Sequence, residues 1–117
     1  MLKFVMIFTY SSASWARMLK VPEDRASAVG ALMNHLGGSL ESIYWEVATA
    51  SAHVIADLPD SVSAAAVTTA ATKTGAFKEV LVHEVLTQAQ LREMVILAQS
   101  SDEVYRPPGH EAIERDV

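Results

Sequence analysis

Leu2-Lys3-Phe4-Val5-Met6-Ile7-Phe8 is the stretch that decides the fold. At the two-residue period of a β-strand, Phe4, Met6 and Phe8 project to one side and Val5 and Ile7 to the other, with only Lys3 interrupting. A strand that is apolar on both faces needs cover on both. The rest of the chain supplies few helices, enough for one face of a small sheet, so the second face is expected to pack against another copy of the protein. This reading makes the protein a homodimer joined through its sheet.

Downstream of this strand, Tyr10 to Ser14 reads as a polar turn, and Trp15 to Lys20 is too short to assign. A helix follows. Pro22 suits a first helical position, where its missing N–H is not needed, and Glu23 and Asp24 sit where carboxylates offset the positive end of the helix dipole. Ala26, Val29, Leu32, Met33 and Leu36 recur at helical spacing before Gly37 and Gly38 provide a left-handed stop. Ser39 to Ala48 reads as a second strand, with Leu40, Ser42, Tyr44 and Glu46 on one face and Glu41, Ile43, Trp45 and Val47 on the other. Ala52 to Leu58 is a third, close enough behind the second to form an antiparallel hairpin.

Asp60 can cap an alanine-rich helix running to about Lys73, whose small side chains allow a close approach to a sheet. Past Gly75, Phe77 to Leu86 reads as a fourth strand, with Val80, Val82 and Leu86 opposite Phe77, Leu81 and Val85. The order β-α-β-β-α-β predicts an α+β, ferredoxin-like fold with four antiparallel strands and both helices on one side. An added C-terminal helix is announced by the capping-box pair Thr87 and Gln90 ahead of Leu91, Met94, Val95 and Leu97. Residues 1–101 are thus expected to form one domain, and 102–117, which include Pro107 and Pro108, an extended arm.

Composition narrows the function classes. With 117 residues, 50% of them hydrophobic, the chain can build one core, which an interface would reinforce. A net charge of −5 without a Lys/Arg cluster argues against a nucleic-acid partner and against an anionic membrane surface. The absence of cysteine excludes disulfides and thiolate chemistry and fits a reducing compartment. The N-terminal apolar run has neither a basic leader nor a small-residue cleavage site, and no segment reaches membrane-spanning length, so the cytoplasm is the expected location.

Trp15, Pro22-Glu23-Asp24-Arg25, Leu36-Gly37-Gly38, Tyr44-Trp45, Pro59-Asp60, Gly75 and Tyr105-Arg106-Pro107-Pro108-Gly109 follow one another in an order that resembles the GYD-domain proteins over nearly the whole length. These are small bacterial proteins of largely unassigned function, grouped with the dimeric α/β barrels, in which two four-stranded sheets face each other. The resemblance implies the same dimer that the two-sided strand suggests independently. It also exposes a departure, because the Gly-x-Tyr-Asp signature falls on Ala48-Thr49-Ala50-Ser51 and all three signature residues are replaced. The barrel superfamily contains cofactor-free monooxygenases, isomerases and haem enzymes, and likeness of fold does not carry their chemistry over.

The residues able to carry chemistry are few. His53 lies mid-strand with Ile55 and Asp57 on its face and Ala52, Val54 and Ala56 opposite, so it faces either the helices or the barrel interior, where an imidazole can act as a general base or simply pack. His83 shares a face with Leu81 and Val85, His35 ends a helix where the dipole favours it, and His110 belongs to the tail. No histidine or carboxylate spacing matches a metal site, and neither a phosphate-binding glycine loop nor a Gly-x-Ser-x-Gly elbow occurs, so no cofactor is expected. Tyr10, Trp15, Tyr44 and Trp45 combine apolar area with a polar handle, as side chains that bind small molecules do, and as core and interface residues also do. Two classes of function remain. One is a cofactor-free enzyme or binder of a small apolar or aromatic molecule, using a pocket between sheet and helices lined by Tyr10, Trp15, Tyr44 and His53; the other is a non-catalytic structural or interaction module.

Overall fold

In a computed structural model, which describes residues 1–109, the elements run β1 (Leu2–Tyr10), α1 (Ser12–Lys20), α2 (Arg25–His35), β2 (Ser39–Glu46), β3 (Ser51–Leu58), α3 (Ser61–Thr72), β4 (Phe77–Val85) and α4 (Gln88–Ser100). The sheet order is β2-β3-β1-β4 and every neighbouring pair is antiparallel, the ferredoxin-like arrangement read from the element order. The chain forms two compact units, Met1–Val85 and the segment from Leu86 onward.

Phe4, Met6 and Phe8 of β1 and Ala52, Val54 and Ala56 of β3 face the helices and join Met33 of α2 and Ala64, Val67 and Ala71 of α3 in a single core. Met6, Met33, Leu58, Val54 and Val67 are its largest fully buried side chains, each contributing about 1.5 to 3 kcal/mol of hydrophobic stabilisation. The alanines of α3 bring its backbone near the strands, as their size allows. On the other face Val5, Ile7 and Ile55 are half-buried, and within Met1–Val85 the core-packed side chains of α1, α2 and α3 all lie on the opposite side.

Several local readings are corrected by the structure. Trp15 to Lys20 is the body of α1, started by Ser11, whose hydroxyl accepts from the Ser14 N–H, and favoured at its end by Arg17 and Lys20. Pro22 and Glu23 precede α2 instead of entering it, because Asp24 is the N-cap and accepts from the Ser27 N–H at 3.0 Å. At the other end of α2, Gly37 N–H donates to Asn34 and Gly38 N–H to Met33, the paired bonds of a Schellman motif. Only Gly37 takes the left-handed conformation, with φ +85°, while Gly38 is small for another reason, its contact with β3. The second strand stops at Glu46, the connection to β3 runs through a 3-10 turn, Val47–Thr49, and Ala50 adopts φ 55° and ψ 44° before β3 begins at Ser51. The extended arm read from Asp102 starts as a turn, with Val104 and Tyr105 N–H groups both donating to Ser101, and its residues from 110 on, His110 among them, lie outside the described part.

Two β-bulges change which side chains share a face. Leu40 pairs with Ala56 and Ser42 with Ile55, so Glu41 is the extra residue, and Leu40 joins Ile43 and Trp45 on the helix side instead of standing with Tyr44. The displaced Glu41 meets Lys3, which also pairs with Asp57 at 3.0 Å, and these bonds, first to Glu41 and then to Asp57, raise the Lys3 pKa above its ordinary value. On β4 the register shifts between Thr9 and Tyr10, so Phe77 lies beside Tyr10 on the helix side with Val80 and Val82, not with Leu81 and Val85.

The aspartate caps make the fold sensitive to acid. Asp60 accepts from the Ser63 N–H and hydroxyl, both at 2.8 Å, as Asp24 does from Ser27, and these bonds, the backbone N–H foremost, hold both carboxyls below the ordinary value of 3.8. A carboxyl whose pKa is depressed on folding stabilises the native state above its unfolded value and loses that contribution as pH falls through the folded value. Replacing both with asparagine, which caps without ionising, should leave thermal stability near the parent's at pH 7 and flatten its decline below about pH 4. Melting curves from pH 7 to pH 2 check this, and an unchanged acid limb in the double variant would contradict it.

Candidate functional site

Between the sheet and its helices lies a cleft of about 370 Å³. Its apolar wall is made by Phe8, Tyr10, Val54, Met33, Val67 and Phe77, and polar groups reach it from α1 in Ser14 and Arg17, from the α1–α2 connection in Glu23 and from the first residue of α2, Arg25. A smaller recess of about 340 Å³ shares Met18, Glu23 and Arg25 with the cleft and adds Pro22 and Trp45.

Tyr10, Trp15 and Trp45 do come together. Tyr10 is stacked on Trp45 with ring centroids 5.9 Å apart, is tilted against Trp15 at 6.1 Å and meets Phe77 at 4.7 Å. Trp15 and Trp45 lie 6.5 Å apart and complete the cluster. The spacings suit tilted and offset aromatic packing. Both bulges are needed for it, since one places Phe77 beside Tyr10 and the other keeps Leu40, Ile43 and Trp45 on the helix side.

Tyr44 and His53 are elsewhere. They are cross-strand partners on the open sheet face, where Tyr44 is 67% exposed, and neither lines the cleft; of the four residues expected to line it only Tyr10 does, Trp15 belonging to the aromatic cluster beside Tyr10. The His53 ring donates from Nε2 to Glu46 Oε1 at 2.8 Å, which leaves Nδ1 able to accept when the ring is neutral. By register His53 also stands opposite Ile7, which is opposite Leu81, and His83 stands opposite Val5, so the face mixes two imidazoles with aliphatic side chains. The sheet therefore separates two features that the strand pattern alone allowed to be one pocket: an aromatic, partly charged cleft on the helix side and a histidine-bearing apolar face on the other. Among the described residues no three His, Asp or Glu side chains converge as a metal site would require, and no helix is long and apolar enough to cross a membrane.

Sequence reasoning missed Arg17, Arg25, Met33 and Phe77 as cleft residues. Arg25 stands out in the sequence only within a family-like tetrapeptide, and Phe77 takes the face opposite to the one a two-residue period gives it, because a bulge leaves no mark in that period. The hydroxyl of Ser14, three residues before Arg17 on α1, accepts from its Nη2 at 3.1 Å, a local signal that could have been read once a helix was assigned there.

The GYD-domain family model matches residues 4–95, which takes in all of the sheet except the first two residues of β1, the first three helices and the first part of α4. The chain belongs to the GYD-domain family. Comparison with curated proteins and with solved structures returns no match. In this GYD-domain protein the positions of the missing signature lie at the β2–β3 connection. Ala48 is in the 3-10 turn, Ala50 is the left-handed residue, and Ser51 is buried and bonded through its hydroxyl to those of Thr9, at 2.9 Å, and Thr49, at 3.1 Å. Of the three replaced positions only Ser51 carries a polar side chain, and its partners are the hydroxyls of Thr9 and Thr49.

Proposed function

We propose that this GYD-domain protein is a cytoplasmic homodimer, joined through its open sheet face, that binds a small, mainly apolar or aromatic molecule without a cofactor in the cleft between sheet and helices. The cleft carries the reading. Its volume of about 370 Å³ lies in the range of small-molecule sites, and it combines an apolar wall with a few polar groups, the composition that gives binding energy and orientation together. In such a dimer His53, Glu46 and Tyr44 would face the space between the two sheets, so any proton transfer by His53 belongs to that space and not to the cleft.

A neutral fluorescent probe, N-phenyl-1-naphthylamine, tests the cleft. Probe fluorescence should rise on binding and saturate at one site per chain. Ala70→Leu, which adds bulk to a half-buried cleft residue, should weaken binding at least tenfold, whereas His53→Ala should leave it unchanged. Binding that survives Ala70→Leu but is lost in His53→Ala would move the site to the open face.

A second reading, a structural or interaction module without chemistry, is favoured by α4. Its Leu91, Met94, Val95, Ile96 and Leu97 are exposed, a larger apolar display than a surface helix ordinarily keeps. No saturable probe binding to the intact protein, with the dimer present, would favour that reading.

A further inference from the structure

We infer that the ligand of the cleft carries one carboxylate on an apolar body, with the carboxylate held by Arg25 and Arg17. This deepens the small-molecule reading above and rests on it. The charges lining the cleft are Arg17, Arg25 and Glu23, two cations against one anion, which leaves a single positive charge beside an apolar wall. Among the described residues neither guanidinium holds a carboxylate at hydrogen-bond distance, and the Arg17 side chain is open to solvent. Arg25 Nη1 stands 3.6 Å from Glu23 Oε2, longer than the charge-assisted hydrogen bonds that arginine makes with carboxylates when the pair is fully formed. Arg25 Nε is buried and finds no acceptor among the described residues. Arg17 donates through Nη2 to the neutral hydroxyl of Ser14, itself buried, so its charge has no carboxylate bonded to it there.

A guanidinium fork matches the two oxygens of a carboxylate, and a buried Nε–H is one of the donors that such a fork offers. A single negative charge balances the cleft, whereas a doubly charged phosphate would leave an excess. The local charge also runs against the protein's net −5, so attraction of an anion here is a property of these residues and not of the overall field. Phe8, Val54, Met33 and Phe77 then meet the ligand's apolar part. A straight-chain fatty acid or an aryl carboxylic acid has this chemistry.

Displacement of N-phenyl-1-naphthylamine by octanoate and by octanol, which share a chain and differ in charge, tests the inference. Octanoate should displace the probe at least tenfold more effectively than octanol at low salt, and its advantage should shrink as salt is raised. Arg25→Gln should bring the two competitors close to parity, each displacement being referred to the probe affinity measured for that same variant. Glu23→Gln, which frees Arg25 from its competing carboxylate, should improve octanoate displacement several-fold, an opposite response that a merely misfolded variant cannot give. Equal displacement by octanoate and octanol, with the probe still bound, would overturn the carboxylate and spare the cleft. Failure of the probe to bind at all would overturn the cleft reading itself.

Discussion

Gly38→Ala is expected to cost the protein at least about 3 kcal/mol, enough to remove a large part of the stability of a domain this size. A Cβ on Gly38 would run into the Asp57 carbonyl oxygen and would stand 2.8 Å from Leu58 Cδ2. The first obstacle is backbone, held in β3 between β1 and β2, and cannot rotate aside as a flexible side chain could. Relief requires α2 and β3 to move apart, which opens the core at Met33 and Leu58, both fully buried. Gly30→Ala is the matched control. It lies within α2, its added methyl would meet only Leu40 at 3.9 Å, and removing glycine from a helix interior should stabilise by about 0.5 to 1 kcal/mol. Urea unfolding of the two variants should therefore move in opposite directions. A loss below about 1 kcal/mol for Gly38→Ala would mean that the α2–β3 approach yields easily.

Ile7→Lys should convert the proposed dimer to a monomer. Ile7 occupies the middle of the open face, between His53 on β3 and Leu81 on β4. If two such faces pack together, each copy of the variant brings a lysine in among Val5, Ile55 and Leu81, while Glu46 on that face is bonded to His53 and Glu79 stands at its end opposite Thr9. Burying an unpaired charge costs about 3 to 5 kcal/mol, a weakening of several hundredfold or more in dimer affinity. Light scattering at low micromolar concentration should report the parent protein as a dimer and the variant as a monomer. Because Ile7 is not part of the helix-side core, the variant should keep its secondary structure and its capacity for probe binding. A parent protein that is monomeric with a cooperative unfolding transition would end the proposal; a dimeric Ile7→Lys would show that copies meet through a different surface.

The two predictions probe opposite faces of one sheet, and the difference between those faces shows how far the sequence can be read alone. The alternation of Phe4, Met6 and Phe8 with Val5 and Ile7 is a local property of β1, since successive side chains of a strand must point to opposite sides whatever surrounds them. That pattern, the capping Asp60, the glycine stop after α2 and the short β2–β3 connection were sufficient for the ferredoxin-like order of elements. Each depends on residues within a few positions of one another. The family could be read from short motifs in series for the same reason.

What the sequence could not decide depends on register. A bulge adds one residue to one strand and reverses every face assignment beyond it, and that Glu41 is the extra residue in β2 and Lys78, skipped between Phe77 and Glu79, the extra residue in β4 depends on what the partner strand offers opposite. That choice placed Phe77 and Trp45 beside Tyr10 and left Tyr44 with His53 on the other side. The residues that make the cleft chemically distinctive come from separate segments: Arg17 from α1, Arg25 from the first turn of α2, and Phe77 from β4. Their proximity is created by the packing of α1 and α2 onto the sheet, and no local pattern in the chain encodes it.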